Sequence, residues 1–114
     1  MKIERFEDII AWQKAKELTI AIYSLFKECK DYGFRDQICR AAVSIMNNIA
    51  EGFERQTNKE LKQFLFIAKG SSGEVRSMLH LASELNYIAV HDYKLLREHT
   101  IEIAKILSGF IQKL

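Results

Sequence analysis

RAAVSIMNNIAEG, residues 40–52, packs Ala, Val and Ile around two asparagines and a glutamate. Read at the helical period, Ile38, Ala42, Ile45, Ile49 and Gly52 fall on one stripe. Cys39, Val43, Met46, Ala50 and Phe53 fall on the stripe beside it. The remaining third carries Arg40, Ser44, Asn47, Asn48, Glu51 and Arg55, so the polar residues form a seam on a helix that is apolar around most of its circumference. The pattern predicts a helix from about Phe34 to Arg55. Asn48 and Glu51 are spaced as an acid–base pair would be, yet no nucleophile or oxyanion donor accompanies them. Arg40, Ser44, Asn48 and Glu51 therefore read as a structural polar seam. In it Asn48 satisfies backbone groups, and Glu51 pairs with Arg40, Arg55 or a neighbouring subunit.

The same period extends outward in both directions. A first helix is expected from about Asp8 to Cys29, with Ala11, Ala15, Leu18, Ile22, Leu25 and Cys29 inside and Trp12, Thr19, Tyr23 and Phe26 beside them. Gly33 suits the turn that follows, because glycine tolerates positive φ. Thr57 and Glu60 have the spacing of a capping box and open a third helix. Its stripe is Leu61, Leu65, Ala68, Ser72, Val75, Leu79, Ala82 and Asn86. The stripe keeps phase through Gly70–Gly73, which a flexible linker has no reason to do, so one long helix is expected, with room for a kink. Gly70, Gly73 and Ser77 would then leave a small-residue groove for a neighbouring helix. A fourth helix runs from about Val90 to the end, with Leu96, His99, Ile103, Ile106 and Phe110 inside and Tyr93, Thr100, Ala104, Leu107, Ile111 and Leu114 flanking. The expected fold is all-α, an up-down-up-down antiparallel four-helix bundle forming a single domain over residues 1–114.

Composition agrees. The chain has no proline and five glycines, which permits long helices and short links. A net charge of +2 is too balanced to announce nucleic-acid binding, so any electrostatic site must come from local arrangement. Cys29 and Cys39 cannot make a disulfide framework and read as reduced, packed thiols. Nothing resembles a secretory signal, and no uncharged run approaches the ~20 residues that span a bilayer, so a cytoplasmic protein with no membrane contact is expected.

Three of the four helices carry two adjacent apolar stripes, whereas a monomeric bundle needs one about 100° wide. Either the core faces are wide, or the second stripes are subunit contacts. The second reading makes Trp12, Tyr23, Phe26, Phe53 and Phe110 an oligomer interface.

The leading binding candidate is basic. Lys62, Lys69 and Arg76 recur every seven residues along the third helix, with Lys59 near its start and no acid on the stripe. Their axial spacing of ~10 Å can track a phosphate backbone. A solvated helix face is the bland alternative. Other chemistry finds no support. Leu96, Ile88 and Ser77 stand three residues before His99, His91 and His80, so the Glu-x-x-His pairs of di-iron bundles are missing. The GSSGE run lacks the Gly-Lys-Ser/Thr of a phosphate loop, and Ser24 with Lys27 is an isolated S-x-x-K. No catalytic residue, metal ligand or cofactor is assigned, and His99 reads as a core or interface histidine.

IERFEDIIAWQK at residues 3–14, RAAVSIMNNIAEG, IAKGSSGE at 67–74 and ASELNYI at 82–88 together resemble the bacterial four-helix-bundle family encoded in intervening sequences of large-subunit ribosomal RNA genes. The family's helix pattern R-A-A-x-S-I-P-S-N-I-A-E-G is matched at Arg40, Ala41, Ala42, Ser44, Ile45, Asn48, Ile49, Ala50, Glu51 and Gly52. Met46 and Asn47 replace its Pro and Ser, which favours unkinked geometry here, and Ala89 replaces the usual hydroxyl cap of the last helix. The resemblance implies an up-down bundle assembling as a homopentamer. It also implies kinship with an accessory protein of diversity-generating retroelements that associates with a reverse transcriptase and nucleic acid. The resulting expectation is a non-enzymatic oligomeric bundle acting as an RNA or ribonucleoprotein accessory. The competing expectation is a protein-interaction scaffold.

Overall fold

The computed structural model describes residues 2–114. A short 3-10 helix at Phe6–Asp8 precedes α1 (Ile10–Leu25), α2 (Tyr32–Phe53), α3 (Asn58–Glu84) and α4 (Val90–Gln112). Ile9 explains why α1 starts later than its period suggests. Its backbone is extended, at φ −77° and ψ 121°, which turns its side chain into the core at 2% exposure. At the other end the helix stops at Leu25 and Phe26 swings inward to 1% exposure. Leu25 and Cys29, expected inside, are half-buried, while Thr19 from the flanking stripe is buried.

Asp31 caps α2 by accepting the Phe34 N–H at 3.2 Å, so the helix begins before Phe34. Gly33 lies in its first turn, and no described glycine has positive φ. That conformation falls instead on Asn86, at φ 60°. Asn86 was expected on the stripe of α3, but the helix has already closed: Tyr87 N–H reaches Ala82 O at 2.8 Å and Asn86 N–H reaches Ser83 O at 3.1 Å. This double closure is the Schellman ending, and asparagine is the residue besides glycine that most readily tolerates it. Thr57 opens α3 as expected. Its hydroxyl accepts the Glu60 N–H at 3.2 Å and donates to the Glu60 carboxylate at 3.1 Å.

α3 runs without a break through Gly70–Gly73. Ser71 and Ser72 turn inward, and Gly70 faces outward. Ser72 Oγ donates to Thr100 O on α4 at 2.9 Å, and Ser71 Oγ meets Ser44 Oγ on α2 at 2.9 Å. Neighbours in sequence are neighbours in space, and α1 closes the ring against α4. Antiparallel pairing follows from the contacts: Gln37 bonds Glu74 near one end of α2, and Gly52 packs against Leu61 and Phe64 near the other. The long dimension of 43 Å matches a helix of this length at about 1.5 Å per residue.

On α4 the buried stripe is Leu96, Thr100, Ile103, Leu107 and Ile111, so His99, Ile106 and Phe110 move to its half-buried flank. Thr100 can lie inside because its hydroxyl donates to Arg97 O at 2.6 Å. Thr19 does the same on α1, reaching Ala15 O at 2.8 Å and Ala42 O at 3.2 Å. Among the described residues no buried side-chain nitrogen or oxygen lacks a partner. No helix among them is long and apolar enough to cross a membrane.

Candidate nucleic-acid interface

The capped start of α3 fixes the phase of everything that follows on it. Lys59, Lys69 and Arg76 project into solvent, and Lys62 is half-buried. The seven-residue spacing carries Lys69 and Arg76 onto the flank that faces α4. There a groove of about 560 Å³ opens between the two helices, and α4 contributes Lys105, Ser108 and Gln112 to its walls. Gly109 also lines it, and a β-carbon there would touch nothing within 4 Å. Among the described residues three cations and no carboxylate line this groove. None of Lys59, Lys62, Lys69, Arg76 and Lys105 forms an ion pair among the described residues, where the pairs are Arg5–Asp8, Lys14–Glu102, Arg35–Asp36, Arg55–Glu51 and Arg97–Glu98. Lys59 and Lys62 lie further toward the N-terminus of α3 and do not line the groove. Lys105 was missed because periodicity alone does not say which flank of α4 meets α3.

The seam of α2 is tied by hydrogen bonds within the bundle. Asn48 Nδ2 donates to Ser44 O at 2.7 Å and to Ser44 Oγ at 2.9 Å, and Ser44 carries the link to Ser71. Glu51 pairs with Arg55 at 3.1 Å and leaves Arg40 exposed without an ion-pair partner among the described residues. Seam and α3 thus share a hydrogen-bonded line that sets their register.

The expected oligomer residues are scattered by the fold. Phe26 lies in the chain's own core, a correction that follows from the inward swing at the end of α1. Trp12, Phe53 and Phe110 are partly buried against that core, and only Tyr23, at 52%, is exposed. Exposed apolar side chains also stand on α3, where Phe66 and Ile67 lie beside Gly70 and Leu81 lies about three turns further on. Among the described residues nothing from another helix lies within 4 Å of where a β-carbon at Gly70 or Gly73 would stand, so the small-residue groove expected there is unfilled by them.

At the end where α1 meets α2 and α3 meets α4, Tyr87 OH donates to Asp31 Oδ2 at 2.7 Å, and its ring packs on Phe34 at 5.4 Å. The Tyr87 hydroxyl and then the Phe34 N–H hold the Asp31 carboxyl below its ordinary range. The same bond to the carboxylate raises Tyr87. Burial pushes the Cys39 thiol up, which keeps it protonated and packed. Among the described residues no three His, Cys, Asp or Glu side chains gather as metal ligands would.

Four antiparallel helices around one apolar core, with a basic groove on one side, define a helical-bundle protein whose clearest chemistry is charge on its surface. The chain belongs to the 23S rRNA-intervening sequence protein family, whose profile matches residues 7–109. No curated protein matches it. Among solved structures it is similar to a protein of unknown function from the S23 ribosomal protein family of Bacteroides thetaiotaomicron VPI-5482. The two are 27% identical with a TM-score of 0.84, over 90% of this chain and 98% of that one.

Proposed function

We propose that the protein is a non-enzymatic, cytoplasmic RNA-binding or ribonucleoprotein accessory whose α3–α4 groove holds a nucleic-acid backbone. The supporting observation is the carboxylate-free groove itself. Lys69 and Arg76 face Lys105 with no internal ion pair to neutralise them, and Lys62 extends the row along α3. Such cations release counterions when they meet phosphates, so each contact adds about 0.7–0.9 to the slope of log affinity against log salt. Self-association, with the pentamer that the family resemblance implies, repeats the row and strengthens weak contacts by multivalency. Scaffolding of a polypeptide partner, such as a reverse transcriptase, is the second reading, favoured by the half-exposed Phe66, Ile67 and Leu81 on α3 and Leu85 just past its end.

Fluorescence anisotropy of a labelled RNA hairpin, titrated at low and moderate salt, tests the proposal. Binding should weaken steeply with salt and be lost in Lys62→Glu/Lys69→Glu/Arg76→Glu at unchanged mass. Hairpin binding that survives the triple substitution would remove the groove from the account. An absence of binding in both proteins would turn the search to polypeptide partners.

A further inference from the structure

Around the bundle from the α3–α4 groove, between α1 and α2, lies a second concave surface of about 550 Å³. Lys27, Arg35 and Arg40 face it with a single carboxylate, Asp36, and Tyr23 and Cys39 complete its polar wall. Arg35 is already committed. Its Nε and Nη2 donate to Asp36 Oδ1 at 3.3 and 3.2 Å, and its guanidinium lies 4.9 Å over the Tyr32 ring. Lys27 and Arg40 have no ion-pair partner among the described residues. The Tyr23 phenol is 52% exposed beside them, and Val43 adds an apolar side.

The two grooves differ in one chemical respect. The α3–α4 groove offers donors and no aromatic ring, which suits a phosphate backbone. Its counterpart sets an exposed aromatic ring beside two unpaired cations. Phosphate takes charge-assisted hydrogen bonds from ammonium and guanidinium groups, and a nucleobase stacks on an aromatic side chain regardless of its sequence. The volume lies within the range of small-ligand sites. We propose that the α1–α2 groove binds one unpaired nucleotide, with its phosphate on Lys27 and Arg40 and its base against Tyr23. Tyr23 then meets a ligand in place of the subunit contact expected from its stripe. The proposal stands apart from RNA binding at α3–α4, because no residue is shared.

Fluorine NMR of the intact protein carrying 3-fluorotyrosine tests it, with the Tyr23 signal among the four tyrosines assigned by Tyr23→Phe. AMP should move that signal saturably and leave Tyr93, whose hydroxyl bonds His80 between α3 and α4, in place. Lys27→Glu/Arg40→Glu should weaken the effect by about tenfold or more, as loss of charge-assisted bonds demands. Lys69→Glu/Arg76→Glu/Lys105→Glu should not change it. A six-nucleotide oligoadenylate that binds much tighter than AMP identifies a single strand as the source of the nucleotide. Equal or weaker binding identifies a free nucleotide, and both results uphold the site. Inorganic phosphate that moves Tyr23 as strongly as AMP overturns the proposal, because the base then contributes nothing. A Tyr23 signal that stays still with both nucleotide probes, or a shift that survives the charge reversal, overturns it as well.

Discussion

At Gly52 the sequence and the packing meet at a single hydrogen atom. A β-carbon there would stand 2.6 Å from Phe64 Cβ and 3.2 Å from Leu61 Cδ1, and the Phe64 β-carbon cannot retreat without moving α3. Gly52→Ala should therefore cost about 1–3 kcal/mol by overpacking, read as a lower midpoint in urea unfolding. Asn86 makes the complementary case. Its φ of 60° suits glycine at least as well, so Asn86→Gly should leave stability level or raise it. Asn86→Val should cost about 1–2 kcal/mol, because a β-branched residue strains in that conformation. The sequence announces neither site clearly. Gly52 sits at helical phase like any small core residue, and Asn86 continues the stripe of α3 although the chain has already left the helix.

Among the elements, α3 shows what was legible and what was not. Its unbroken period through Gly70–Gly73 and its Thr57–Glu60 start were readable, because phase and capping are local properties. Which side of each glycine faces a neighbour depends on the other helices, and the sequence alone does not carry it. Since a β-carbon at Gly70 or Gly73 would meet nothing within 4 Å, Gly70→Ala and Gly73→Ala should each stabilise the chain by about 1 kcal/mol through helix propensity. A gain in thermal midpoint with unchanged mass in light scattering would leave this face free of subunit contacts. A fall in mass would place an interface there. α4 was misread for the same reason. Its two apolar stripes are equivalent in sequence, and the bonds of Ser72 to Thr100 O and of Thr100 to Arg97 O select the one that turns inward. Lys105 followed that rotation into the groove beside Lys69 and Arg76.

Over the whole molecule, one end is tied by the bond from Tyr87 to Asp31, which joins the two hairpins. A carboxyl held below its ordinary value contributes stability at pH values above about 4, and the contribution drains away as pH falls through the lower folded value. Tyr87 is raised, so its share persists below about pH 10 and is lost as pH climbs past the folded value. Tyr87→Phe keeps the ring against Phe34 and removes the hydroxyl. It should lower the urea midpoint near neutrality, and the difference from the parent protein should shrink as pH falls through the folded value of Asp31. The ring of helix contacts has a further consequence, in time. Every seam except α1–α4 joins helices adjacent along the chain, so nearly all loop closure is short-range and refolding should be fast. The α1–α4 seam, pinned by Lys14 to Glu102 at 3.3 Å, brings together the most distant parts of the sequence. Its contacts should form after the rate-limiting barrier. Leu18→Ala and Ile103→Ala, cut from fully buried positions on these two helices, should then speed unfolding far more than they slow refolding in stopped-flow measurements.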